Sequence, residues 1–202
     1  MNYLAHIALS GEDMEVAVGN FMGDGVKGAI PEGYPLGIKI GLHLHRFIDH
    51  QSDTHPENLA MRVALREKYS KYAGVVQDMY HDHFLSRYWD EFHPVQLQEF
   101  LQGFYQSAEL NISHLPARQR LFFLGMREGE WMFSYGSFSG LGRAFQGLST
   151  RNSTAFIMKD GASYLEEHYE IYEKGFMQWY PILLDLCEKE RKTLLRNLSN
   201  SR

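Results

Sequence analysis

Apolar residues recur at helical spacing along most of the chain, and no run of period-two alternation bounded by turn residues interrupts them. Residues 2–10 form a short apolar segment with His6 inside it, broken at Ser10 and Gly11. Residues 12–27 predict a second helix with Val16, Phe21, Met22 and Val26 as its apolar positions. Gly19 and Gly23 lie four apart and leave one face of that helix nearly bare, at about 1 kcal/mol each relative to Ala. Close approach by another helix or a ligand accounts for such a face. Pro35 stands where a helix begins, and residues 35–52 predict a helix apolar almost all round, hence buried. A restart near Pro56 predicts a helix to about residue 72. A second interior helix follows over 74–91, then helices over 95–110, 117–135 and 138–149. On the 95–110 segment, Leu97, Phe100, Leu101 and Phe104 share one stripe. Residues 151–161 read as a polar connector. Residues 162–179 and 181–198 read as two last helices divided at Pro181, with a frayed tail over 197–202. The fold class is all-α: a single-domain helical bundle spanning residues 1–202.

Composition narrows the function classes. The chain has 202 residues, enough to bury a large core, and its 13 Phe and 12 Tyr are far from a disordered composition. A net charge of −5 argues against a nucleic-acid binder, which needs a basic surface. The single cysteine, Cys187, excludes disulfide scaffolds and thiolate zinc sites and reads as a small buried hydrophobe. No stretch approaches the roughly 20 apolar residues of a membrane span, and the N-terminus lacks the basic start of a signal peptide. The expected location is therefore the cytoplasm. Seven of the ten histidines precede residue 84.

Two stretches concentrate the chemistry: GLHLHRFID at residues 41–49 and DMYHDHFLSR at residues 78–87. Side chains four apart on a helix share a face, with Cβ atoms about 6 Å apart. His45 and Asp49 thus project together from a buried helix, beside Ile38 and Leu42. Buried charge needs a partner, and a metal ion suits both groups, although a structural hydrogen-bonded pair also satisfies them. Asp78 and Asp82 repeat the spacing beside Val75, Met79 and Trp89. Two carboxylates on one apolar face require a proton or a cation between them. His83 points about 100° away and reaches such a centre only from its edge; His81 lies nearer that face. Mixed oxygen and imidazole ligands favour Mn²⁺, Mg²⁺ or Fe²⁺, with zinc also compatible. Such a centre activates water and polarises a phosphoryl oxygen. Arg46 and Arg87 flank the two pairs and can hold phosphate oxygens bidentately. Asn20 and Asp24 can complete the shell from the glycine-faced helix. His6 by itself reads as a satisfied core histidine.

Taken in order, Met1-Asn2-Tyr3-Leu4-Ala5-His6, Gly19-Asn20 with Asp24, the 41–49 stretch followed by Thr54 and Pro56, and Asp78 with Asp82 through Arg87 and Trp89 resemble the bacterial acyl carrier protein phosphodiesterase family. The resemblance covers about residues 1–90, with a weaker similarity at Gln178-Trp179-Tyr180-Pro181. It implies an all-helical fold distantly related to the HD-domain metal phosphohydrolases, with a metal-site core over about 1–92 and slot and scaffold helices over about 95–198. It further implies hydrolysis of the phosphodiester joining 4′-phosphopantetheine to a serine of holo-acyl carrier protein, with Mn²⁺ as the expected cofactor. The matching polar positions supply the expected roles. Metal ligands are Asp24, His45, Asp49, Asp78, Asp82 and His83. Catalytic residues are Asp24, Asp82, Arg46 and Arg87. Substrate contacts are His6, Asn20, Arg46 and Arg87. His81 stands where the family is expected to carry an aromatic residue and is set aside. The Asp82-His83 order reverses the His-Asp dyad of HD enzymes.

An acidic carrier protein calls for a locally basic docking face despite the overall negative charge. Arg62, Arg66, Lys68 and Lys71 form one candidate; Arg118, Arg120 and Arg127 form another. The long prosthetic arm calls for an apolar slot, and the aromatic-rich C-terminal helices are the expected lining. Two other functions fit the same residues: a metal phosphohydrolase of nucleotides or small phosphoesters, and a non-enzymatic helical binding protein whose His/Asp pairs are structural.

Overall fold

A computed structural model describes residues 2–200. Its helices are α1 (Tyr3–Ala8), α2 (Met14–Phe21), α3 (Leu36–Thr54), α4 (Pro56–Tyr69), α5 (Ala73–Arg87), α6 (Trp89–Phe92), α7 (Leu97–Leu110), α8 (Ala117–Glu128), α9 (Trp131–Ser134), α10 (Phe138–Ser149), α11 (Gly161–Glu167) and α12 (Tyr169–Ser199). Among the described residues there is no strand, so the all-α expectation holds. Met1 of the N-terminal motif and Ser201 and Arg202 of the expected frayed tail lie outside the described residues.

Four helices position the site. Helix α1 has six residues, too few to persist alone in water. It exists because Leu4, Ala5, His6, Ile7 and Ala8 are all buried. Helix α2 is started by Asp13, whose carboxylate accepts from the Glu15 and Val16 amides at 2.9 and 3.4 Å. The bare glycine face is a helix–helix contact. A Cβ on Gly41 would lie 2.2 Å from the Val16 carbonyl oxygen, and one on Gly19 would lie 2.3 Å from that of Ile38. Two backbones at that separation admit no side chain between them, so α2 is held directly on α3.

The structure departs from the sequence pattern at four helix boundaries, of which the first is that the 12–27 segment ends as an α-helix at Phe21 and is followed by a 3₁₀ turn, Gly23–Gly25. The 74–91 segment ends at Arg87 and restarts as α6. The 117–135 segment breaks after Gly129, where Glu130 takes a left-handed φ of 48°. The last division falls at His168, and α12 runs unbroken through Pro181. Pro181 forfeits a helical hydrogen bond at a cost of about 3 kcal/mol. Phe176, Trp179, Tyr180 and Leu183 on either side of it are fully buried, and each contributes about 1.5–3 kcal/mol. Their packing outweighs the break. The expected connector is also ordered: the Asn152 side chain accepts from the Thr154 and Ala155 amides at 3.1 and 2.9 Å and starts a 3₁₀ segment, Ser153–Asp160.

Phe100, Phe104 and Phe123 are buried in the core, as is Cys187. Phe122 is only partly buried and stacks near Tyr3, their ring centroids 4.5 Å apart. That contact joins α8 to the edge of the site.

Candidate metal centre

His6 from α1 and His45 and Asp49 from α3 converge. One ligand atom from each lies within 4.8 Å of the others. His6 Nε2 is 3.4 Å from one Asp49 oxygen and His45 Nε2 is 3.2 Å from the other. The two imidazoles stack with centroids 4.3 Å apart. Gly23 makes room for His45, since a Cβ there would lie 2.2 Å from the ring.

Asn20 sets the tautomer of both rings. Its amide nitrogen donates to the His6 carbonyl at 2.7 Å and to Ser10 Oγ at 3.0 Å. Its side-chain oxygen therefore faces His6 Nδ1, 2.7 Å away, and accepts that N–H. His45 Nδ1 donates to the Asn20 backbone carbonyl at 2.8 Å. With both Nδ1 atoms protonated, two neutral rings present Nε2 lone pairs to a carboxylate. Lone pairs at that separation repel unless a proton or cation lies between them. Burial, reinforced by the neighbouring His45, lowers the His6 pKa and so opposes the proton. Burial works to raise the Asp49 pKa, and donated bonds or positive charge from His45 and His6 lower it well below the usual range; neutral rings offer neither, and a cation between the three groups would supply that charge. Two imidazole nitrogens, each ring oriented from behind by Asn20, and an ionised carboxylate fit a divalent cation.

The remaining expected residues divide into two groups. Asp24 and Asp78 line the same cavity of about 170 Å³ as His6, Asn20 and His45. Asp24 Oδ1 is 3.9 Å from His45 Nε2. Asp82, Arg46 and His83 make their hydrogen bonds away from this cavity, and Arg87 lines a different one. Both Asp82 oxygens accept backbone amides, from Leu4 and Ala5, at 2.9 Å each. The carboxylate caps α1 from the neighbouring helix, so amides rather than a cation answer its charge. Burial nonetheless pushes its pKa up to about 7, against the lowering effect of the Ala5 and Leu4 bonds. Arg46 donates to the Gly28 and Val26 carbonyls at 2.6 and 3.3 Å, bracing the loop that follows Asp24. His83 Nδ1 donates to the Tyr135 carbonyl at 2.8 Å. It lines a separate cavity of about 460 Å³ with Arg87, Glu166 and Tyr169. Burial lowers its pKa, opposed by the Tyr135 bond.

The family's sequence model, described as acyl carrier protein phosphodiesterase, matches residues 1–183. This chain belongs to that family. A Pectobacterium atrosepticum acyl carrier protein phosphodiesterase is 28% identical over 192 residues, covering 95% of this chain and 100% of the relative. The Escherichia coli protein of that name is 29% identical over 195 residues, 96% of this chain and 100% of its own length. The Yersinia pestis one is 28% identical over 185 residues, 91% and 96% of the two chains. No solved structure matches the chain.

Within this family member, sequence reasoning missed Arg151. It lies in the supposed connector yet lines the same cavity as Asp24 and His45. No local signal distinguishes it from any other exposed arginine. His6 was read by itself as core, and only the resemblance marked it as functional. Asn20 acts as a positioning residue, which yields a test. Asn20→Ala is expected to weaken Mn²⁺ binding about 10–100-fold, the usual cost of losing an outer-shell partner. Titration followed by electron paramagnetic resonance measures this, with a thermal melt to confirm folding. Unchanged affinity in a folded variant would remove Asn20 from that role.

Proposed function

We propose that this protein is a metal-dependent phosphodiesterase that removes 4′-phosphopantetheine from holo-acyl carrier protein. One observation carries the proposal: His6, His45 and Asp49 converge, with Asp24 and Asp78 in the same cavity, in a chain of this family. His6, His45 and Asp49 hold the cation, with Mn²⁺ preferred and Mg²⁺ or Fe²⁺ as substitutes; Asp24 and Asp78 offer further carboxylates. The cation supplies an acidified water and charge stabilisation at a phosphoryl oxygen.

The chain's own residues do the rest. Asn20 holds both imidazoles in the ligating tautomer. Asp24, with its side chain 60% exposed, takes the proton from the attacking water. The water oxygen bonds to phosphorus as the bond from phosphorus to the carrier serine breaks, and the proton that Asp24 took up returns through solvent to that serine oxygen as it leaves. Arg151 faces the phosphoryl oxygens in place of Arg46 and Arg87. Of the two expected basic patches, the one containing Arg118 is favoured as the docking face because Arg118 lies near enough to Tyr3 at the cavity wall to act on it electrostatically, while its Arg127 pairs with Glu109 and its Arg120 donates to the Leu115 carbonyl. Arg62 in the other is engaged by Asp53 and Gln77 at 2.7 Å each, and Lys68 by Asp160 at 2.7 Å. Among the described residues no helix is long and apolar enough to cross a membrane. The protein acts in the cytoplasm on its carrier substrate and is distantly related to the HD-domain phosphohydrolases.

The test is the intact mass of holo-carrier incubated with the protein and Mn²⁺, beside an EDTA control. Loss of the whole phosphopantetheine group in the Mn²⁺ sample alone is the expected result. An unchanged carrier mass with metal bound would turn the assignment to a small phosphoester.

A further inference from the structure

A second cavity of about 460 Å³ opens beside the metal cavity, within the usual range for a small-molecule site. The two share wall residues Asn2, Tyr3, Met79, Leu148 and Arg151. Beyond this junction the slot is walled by Phe122 and Trp131, whose rings lie 5.5 Å apart, and by the glycine-bearing face of α10. Gly147 leaves that face open, whereas Gly140 is packed against the Ser134 backbone. A Cβ on Gly147 would meet nothing within 4 Å. Arg151 stands at the junction and, among the described residues, makes no ion pair. The combined space therefore has a metal-ligand end, Arg151 at its neck, and a mostly apolar extension that also carries Arg143 on its wall.

We infer that this slot receives the pantetheine chain while Arg151 holds the phosphate at its neck, so that α10 is a recognition element for the prosthetic arm. The inference rests on the activity proposed above. A phosphate joined to an uncharged chain of a gem-dimethyl group, two amides and a thiol matches the order of chemistry along the cavity. The phosphate faces the ligand cluster and Arg151, and the aliphatic chain lies against Phe122, Trp131 and Leu148. The slot is assembled from α1, α5, α8, α9 and α10, so the C-terminal half supplies specificity to a centre built by the N-terminal half.

Gly147→Leu tests this. It places a side chain in open space on a helix interior where Leu is a better helix former than Gly. The variant is expected to keep the wild-type melt and Mn²⁺ affinity. Its binding of free 4′-phosphopantetheine, followed by calorimetry on Mn²⁺-loaded protein, is expected to weaken at least about tenfold. Arg151→Ala, an exposed change, is expected to weaken phosphopantetheine about tenfold and leave pantetheine, which lacks the phosphate, unaffected. Equal phosphopantetheine binding by wild type and Gly147→Leu overturns the inference, as does no binding by the wild type. If the wild type binds phosphopantetheine and Gly147→Leu does not, yet holo-carrier is never cleaved, the slot stands and the proposed activity fails.

Discussion

Asp49→Ala is expected to lose tightly held Mn²⁺ and to lower kcat/KM on holo-acyl carrier protein by about 10³-fold or more, while the protein stays folded. Asp49 is the only carboxylate in the three-residue cluster, lying 3.2 Å from one imidazole nitrogen and 3.4 Å from the other. Removing it leaves two neutral nitrogens in the cluster and only Asp24 and Asp78, elsewhere on the cavity wall, to offset the charge of a divalent ion. Several kcal/mol of transition-state stabilisation goes with the ion, and each 1.4 kcal/mol is a factor of ten in rate. Stability should change little. The Asp49 side chain is 47% exposed, so its removal opens no sealed cavity, and the two histidines keep their bonds to Asn20. Metal content after dialysis and turnover measured on the same sample decide the matter. A variant that retains a full equivalent of Mn²⁺ would move the centre elsewhere.

Asp82→Ala is expected to do the reverse, costing the fold first and activity as a consequence. Its two oxygens answer the Leu4 and Ala5 amides, which are buried with the rest of α1. Without them, two donors lose charge-assisted bonds and remain desolvated, at about 3–5 kcal/mol together. For a chain of this length that lowers the melting temperature by about 10 °C or more. Helix α1 carries His6, so its loosening also displaces one member of the candidate centre. Chemical denaturation alongside turnover separates the two roles. An unchanged melt with turnover abolished would return Asp82 to the chemistry and count against the capping role.

The contrast between Asp78 and Asp82 marks where sequence reasoning ends. They share a face of α5, which the spacing states without ambiguity. One lines the cavity with His45 and the other caps α1. Nothing within α5 distinguishes them, because the difference is made by a six-residue helix about 77 positions away. The same holds for Arg46, which looks like a phosphate clamp beside a ligand pair until the loop carbonyls of Val26 and Gly28 occupy it.

Sequence alone determined the helical class, the burial of most of the 41–49 stretch, the pairing of His45 with Asp49, and a glycine face on α2 that another backbone must approach. Each is a consequence of helical periodicity, which says which residues share a face. The motifs in their order also pointed to the family. Tertiary structure decided the rest: His6 against His45, Asp82 as a cap, Arg151 at the neck of the slot, and α12 unbroken at Pro181. Each of these depends on what packs opposite a face. That is set by contacts between segments far apart in the chain, where burial energies of several kcal/mol override local preferences worth one or two.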